Sequence, residues 1–195
     1  MYKKPIIVFE GIEGSGKSLH INNVASYLKK NGRKFIKIRE PGGNQNSEKI
    51  RKLILSNKSN FDKITDLLLY LAARNENIVN IIKKNIGKRV ILIDRFVDST
   101  IAYQHYGMGI DIHFINTINN FLLKNIKVNF TFLNTVNQKN MKFRLKQRRK
   151  LNRYDQFKTL FYKRVQSGFI KIANKNKKKY LIIDSNLNIS VNKKI

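Results

Sequence analysis

The chain has 195 residues, with 40 lysines and arginines against 12 aspartates and glutamates, a formal charge of +28, and no cysteine. The missing cysteines exclude disulfides and thiolate metal sites. With no apolar run near the roughly 18 residues that span a bilayer and no signal-like N-terminal stretch, a cytoplasmic protein without a membrane partner is expected. A positive balance this large suits a nucleic-acid partner, but the lysines run along the whole chain beside many asparagines, which favours compositional drift. No specific nucleic-acid partner is expected, although polyanions should adhere non-specifically at low salt.

In chain order, residues 6–9 are apolar and suit a buried strand. Gly11-Ile12-Glu13-Gly14-Ser15-Gly16-Lys17-Ser18 follows and leads into a helical stretch over 17–30. A strand, a glycine loop at this spacing and a helix make a phosphate-binding P-loop. The glycines let backbone N–H groups converge on phosphate oxygens, and the helix N-terminus adds a favourable field. Lys17 is placed to reach the β- and γ-phosphates, and the Ser18 hydroxyl to ligate Mg²⁺. A nucleoside triphosphate with Mg²⁺ is therefore expected here.

Further strands are expected at 34–38, 90–94, 128–133 and 180–184, with helices over 47–55, 62–84, 112–123, 139–150 and 159–174. The alternation predicts an α/β fold: three layers, a five-stranded parallel sheet flanked by helices, and ligands at the strands' C-terminal ends. No linker or repeat divides the chain, so a single domain over 1–195 is expected. The basic run at 174–179 reads as a solvated turn.

Polar clusters stand where the strands end. Arg39-Glu40-Pro41-Gly42-Gly43 follows the second, and Asp94-Arg95-Phe96 closes the third. Asp94 beside a P-loop suits a second Mg²⁺ anchor through water. Arg95 stands where hydrolytic motors carry a glutamate base, which suggests grip on a second phosphate; the alternative is an ordinary ion pair. Tyr70 and Arg74, four residues apart, share a helix face. They read either as a core stripe ending in a snorkelling arginine or as a platform for a nucleobase. Arg144, Arg148, Arg149 and Arg153, with Asp155, form either a solvated helix end or a mobile lid over about 141–155 that supplies cations to a migrating phosphoryl group.

Taken together, FEGIEGSGKS, REPGG, YLAAR, DRFVDSTIAYQ, R-x-x-x-RRKLNRYD and FYKRVQSGF, in this order over essentially the whole length, resemble the bacterial thymidylate kinases of the P-loop nucleoside-monophosphate kinase group. The resemblance implies phosphoryl transfer from ATP to dTMP with Mg²⁺, in a homodimer. It places Gly11 to Ser18 with Arg144, Arg148 and Arg153 on ATP. It places Glu13, Arg39, Tyr70, Arg74, Arg95, Ser99, Thr100, Tyr103 and Gln104 on dTMP. Glu13 would face the 3′-hydroxyl near the metal, Arg39 and Arg95 the 5′-phosphate, Tyr70 the thymine face and Arg74 its O4 edge, while Tyr103 would crowd a ribose 2′-hydroxyl. Lys17, Arg95, Arg148 and Glu13 are the implied catalytic set, and Ser18, Asp94 and Glu13 the implied metal neighbours. The P-loop has no arginine of its own, as in the subclass whose transition-state arginine comes from the lid. A terminal helix should be short or absent.

Two rivals remain at this level. A deoxynucleoside kinase would need a carboxylate base, nominally Glu10 or Glu13. A nucleic-acid-binding ATPase is prompted by the charge. A GTPase is disfavoured because no Asn-Lys-x-Asp occurs.

Overall fold

The computed structural model describes residues 4–192. Its centre is a five-stranded parallel sheet in the order β2-β3-β1-β4-β5, with β1 at Ile6–Glu10, β2 at Phe35–Arg39, β3 at Val90–Asp94, β4 at Phe130–Thr135 and β5 at Tyr180–Asp184. The first strands alternate between two buried faces. Ile6 and Val8 of β1 join Ile91 and Ile93 of β3, Ile38, Ile78 and Phe96 on one side; Phe9, Val90 and Leu92 meet Ile21 on the other. Burial on both faces is why these segments read as unbroken apolar runs.

Helices cover both faces: α1 (Lys17–Lys30), α2 (Gln45–Leu55), α3 (Lys63–Asn77), the short α4 (Lys83–Asn85) and α5 (Val97–Thr100), then α6 (Ile112–Leu123), α7 (Gln138–Lys146), α8 (Thr159–Lys175) and α9 (Ile189–Asn192). Their starts are marked by side-chain caps. Asn44 accepts from Ser47 N, Asp62 from Ile64 N and Asp111 from Phe114 N, satisfying N–H groups that a helix leaves free.

The expected helix over 62–84 is interrupted by a π-helical turn, Ile78–Ile82, between α3 and α4. The expected helix over 139–150 ends at Lys146, and a 3₁₀ turn, Arg153–Gln156, closes the segment behind it. One helical stretch was not expected: α5 continues as a π-helix over Ile101–Gly107. Val, Thr and Ile there have low helix propensity and give no clean period; packing on α8 supplies what propensity does not. A Cβ on Gly168 of α8 would lie 2.5 Å from the Tyr106 ring, so that glycine allows the close approach. The last described element is α9, Ile189–Asn192. Among the described residues no helix is long and apolar enough to cross a membrane.

A further apolar cluster lies beside α7 and α8 and includes Tyr103, Tyr154, Phe161, Val165 and Phe169, with Tyr70 packed against it. This cluster, with the C-terminal ends of β1, β2 and β3, encloses the cleft.

Candidate active site

β1 delivers the chain into the P-loop, where Gly11, Gly14 and Gly16 have φ of 139°, 69° and 85°. A Cβ on Gly11 would stand 2.3 Å from the Asn134 carbonyl oxygen of β4, so the loop can hug the sheet only with glycine there. Lys17 is buried, and its Nζ donates to the Gly11 carbonyl at 2.8 Å and to that of Ile12 at 3.0 Å. Burial, with the nearby Arg95 charge, lowers its pKa to about 8. Ser15 is fully buried, while Ser18 is exposed at the start of α1.

Asp94 ends β3 in register with Phe9 of β1, and its buried Oδ1 has no hydrogen-bond partner among the described residues. Ser18 and Asp94 line the same cleft. A free hydroxyl and an unsatisfied carboxylate oxygen beside a phosphate loop are the hard oxygen donors that a divalent cation such as Mg²⁺ takes, directly or through water. The donor set fits such an ion.

Arg95 follows with φ of 66°, a left-handed conformation at a non-glycine residue; such outliers cluster at functional sites. The turn aims its guanidinium over the Tyr103 ring, 5.1 Å from the centroid. Its Nη2 donates to Glu13 Oε1 at 2.9 Å and its Nη1 to Ser99 Oγ at 3.3 Å. Tyr103 donates its hydroxyl to the other Glu13 oxygen at 2.5 Å. Burial pushes that phenol well above its ordinary pKa, the Glu13 charge working in the same direction. P-loop, β3 turn and π-helix therefore meet on one carboxylate.

Glu10 sits under this turn, fully buried. Its Oε1 accepts from the Phe96 and Ser99 N–H groups at 2.8 and 3.2 Å, and its Oε2 from the Ser99 hydroxyl at 2.5 Å. Burial, then the neighbouring Asp98 charge, raises its pKa to about 7. Both oxygens are engaged inside the turn, so Glu10 is an anchor rather than a base open to a sugar hydroxyl.

Arg74 is 2% exposed. Nε donates to Glu40 Oε2 at 2.8 Å, Nη1 to Asn119 Oδ1 at 2.7 Å, and Nη2 to the Phe96 carbonyl and Thr100 Oγ1 at 2.9 and 2.8 Å. Four of its five N–H hydrogens serve the fold; a base in the cleft, which Arg74 still lines, is left with one. Burial holds Glu40 above the ordinary carboxylate range even with Arg74 beside it. Tyr70 borders the same cleft and meets Tyr154 edge-on at 5.7 Å. Gln104 Nε2 donates to the Tyr154 hydroxyl at 3.4 Å.

The arginines divide differently from expectation. Arg39 keeps 55% of its side chain exposed and pairs with Glu48 at 3.2 Å, at the rim of the cleft. Arg51, which nothing in the sequence singles out, lines the cleft as well and donates to the Pro41 carbonyl at 2.5 Å. Arg144 donates to the Gly14 carbonyl at 2.8 Å and the Ser185 carbonyl at 2.7 Å, joining the P-loop to the turn after β5. Arg148 pairs with Asp155 at 2.5 Å, keeps 41% of its side chain exposed, and borders both the cleft and the adjoining cavity over Gly14, Gly16 and Ser18. Arg153 is not brought to the P-loop. Its Nε donates to the Ile54 carbonyl at 3.1 Å and its Nη2 to Asp66, because its 3₁₀ turn faces α2 and α3 rather than the phosphates.

The family model for thymidylate kinase matches residues 9–195. The chain belongs to the thymidylate kinase family. It is 39% identical over 185 residues to the thymidylate kinase of Sulfurihydrogenibium sp., covering 94% of this chain and 90% of that one. With the thymidylate kinase of Kosmotoga olearia the identity is 35% over 187 residues, covering 94% and 88%. The crystal structure of thymidylate kinase from Ehrlichia chaffeensis matches with a TM-score of 0.78 and 32% identity, covering 98% of this chain and 95% of that one. Membership of the thymidylate kinase family and the P-loop α/β fold thus agree with the reading of the sequence. Glu10, Glu40, Arg51, Asn119 and Tyr154 are the residues around this site that the reading passed over or misjudged. Glu10, Glu40 and Tyr154 stand inside the motifs FEGIEGSGKS, REPGG and RRKLNRYD, whereas Arg51 and Asn119 stand in none.

Proposed function

We propose that this protein transfers the γ-phosphate of ATP to dTMP, giving ADP and dTDP for dTTP synthesis, with Mg²⁺ as the metal. The observation that carries the reading is a single cleft lined by Lys17, Ser18 and Asp94 on one side, by Tyr70, Arg74, Arg95, Thr100 and Gln104 on the other, and by Glu13, Tyr103 and Arg148 between. ATP lies on Gly11 to Ser18 with Arg144 and Arg148 above it; dTMP lies against Tyr70 and Arg74 with its 5′-phosphate toward Arg95 and the rim arginines. Ser18, and Asp94 through water, hold the Mg²⁺, which supplies neutralisation of phosphate charge when bound.

A phosphate oxygen of dTMP is already a nucleophile, so no base is needed and catalysis is alignment plus stabilisation of spread charge. Lys17 exchanges two loop carbonyls for phosphate oxygens, a gain because charge-assisted bonds to an anion are the stronger kind. Arg95, held over Tyr103, is shared between Glu13 and the acceptor phosphate. Glu13 and Tyr103 together wall off the sugar, which disfavours ribose. The one spare Arg74 hydrogen suits a carbonyl at the base edge and mismatches the amino group of cytosine. Residues 141–155 act as the lid, with Arg148 as its working arginine.

The protein works in the cytoplasm as a homodimer through helix packing, for which the exposed apolar side chains Leu68 and Val79 along the α3 side and Phe114 and Phe121 of α6 are the candidate surface. A coupled ADP-release assay with dTMP, dUMP, dCMP, UMP and thymidine as separate acceptors tests the function. Turnover with dTMP, some with dUMP and little with dCMP is expected, since one thymine methyl is worth only about 1–3 kcal/mol. Turnover with thymidine but not dTMP overturns it.

A further inference from the structure

We propose that the edge of the sheet opposite the cleft is a docking surface for a nucleic-acid strand, held through its phosphates without base readout. The parallel sheet brings the starts of all its strands to one edge. Val90 N donates to the Lys34 carbonyl, Ile91 N to that of Pro5 and Asn129 N to that of Ile6, each at 3.0 Å, and Thr131 stands opposite Tyr180. The segments that lead into β2, β3, β4 and β5, residues 29–34, 83–89, 124–127 and 175–179, carry four, four, two and four lysines or arginines and no carboxylate. Every one of these cations is exposed. Lys34, Arg89 and Lys179 directly precede β2, β3 and β5, so at about 4.8 Å between neighbouring strands they mark a line about 20 Å long, with the other cations around it.

The opposite sign is kept at the other end. Glu10, Asp94 and Asp184 close strands, Asp62 and Asp111 cap helix starts there, and the five ion pairs among the described residues all involve the cleft, its rim or the lid. Helix dipoles favour cations in the last turns of α1, α4 and α8. They do not account for Lys34, Lys88, Arg89, Lys127 or the Lys177–Lys179 run, which lie beyond those helix ends. So dense a set of like charges repels itself, and a polyanion relieves the repulsion.

The geometry selects the polyanion. A line of cations about 20 Å long suits the phosphates of one strand, whereas an anionic lipid surface calls for a plane of cations. Tyr27, 67% exposed, lies two residues before the first basic segment and offers a face on which a base can stack. Along the chain these cations fall in four separate short segments; the fold brings the segments to one end.

The test is fluorescence anisotropy with a labelled mixed-sequence DNA strand of about 30 nucleotides, titrated between about 50 and 200 mM salt. An edge variant, K88Q/R89Q/K178Q/K179Q, is compared with K49Q/K52Q/K58Q/K63Q, which removes the same charge from exposed positions on α2, the α2–α3 connection and the start of α3. Expected are a loss of at least about 10-fold in affinity at about 100 mM salt for the edge variant, a salt slope shallower by about 2–3, and a change of no more than about 2-fold for the control. Circular dichroism melts establish that both variants are folded, and both should retain the parent's turnover. Equal losses in the two variants overturn the proposal, because binding then follows net charge alone. So does unchanged DNA binding by the edge variant, including the case where it loses only its binding to phosphatidylserine vesicles. The assay reads binding without turnover, so its failure leaves the proposed phosphoryl transfer standing.

Discussion

Arg95 and Glu13, 82 positions apart in the chain, form an ion pair at 2.9 Å, and Tyr103 closes the same carboxylate from the other side at 2.5 Å. The trio ties the P-loop to the turn after β3 and to the π-helix that lines the cleft. Its members should therefore act as a unit. In a cycle of Glu13→Gln and Tyr103→Phe, each single change should lower kcat/KM for dTMP by about 10-fold or more, and the double should cost less than the product, a coupling of about 0.5–3 kcal/mol. Steady-state kinetics on the four proteins decide it; strictly multiplicative losses would mean that the contact is absent in the working complex.

The lid arginines should separate by readout. Arg148→Ala should lower kcat by about 10³-fold or more with little change in dTMP KM, as for a cation that acts on the transition state. Arg153→Ala should instead lower stability by about 1–3 kcal/mol, by urea unfolding, through loss of its bonds to Asp66 and the Ile54 carbonyl. If Arg153→Ala lost kcat at unchanged stability, it would belong with the phosphates after all.

Arg74 and Glu40 form a buried pair at 2.8 Å, with side chains 2% and 4% exposed. Arg74→Ala leaves Glu40 and the acceptors on Asn119, Phe96 and Thr100 unsatisfied, and should cost about 3–5 kcal/mol. Arg74→Lys should rescue little of this, since a point ammonium cannot reproduce the planar fork. Chemical denaturation of both variants tests the claim, and full recovery with lysine would refute it.

Glu10 gives a pH signature. Its pKa is raised from 4.5 to about 7 by burial and then by Asp98, so between those values the folded protein binds a proton that the unfolded chain does not. That group's contribution to stability is fully present below about pH 4.5 and is lost as pH rises through about 7. Glu10→Gln should flatten the stability profile between about pH 5 and 7, measured by urea titration at several pH values against the parent. An unchanged slope would assign it to other groups.

The residues themselves determined the parts whose chemistry is local. Gly11 to Ser18 announce a phosphate loop because eight successive residues carry the turn, the lysine and the hydroxyl. The strands and most helices are legible because a pattern repeats within a few positions: the expected strand over 90–94 and helices over 17–30 and 112–123 coincide with β3, α1 and α6. What a sequence pattern does not carry is which side chain meets another across the fold. Arg74 finds Glu40 at 34 positions' distance and Arg153 finds Asp66 at 87; in the chain each is simply an arginine near an aromatic. Glu10 becomes an anchor only because β1 and the turn after β3 are neighbours in the sheet. The same parallel alignment brings four basic segments that are far apart in the chain to one end of the sheet, opposite the cleft.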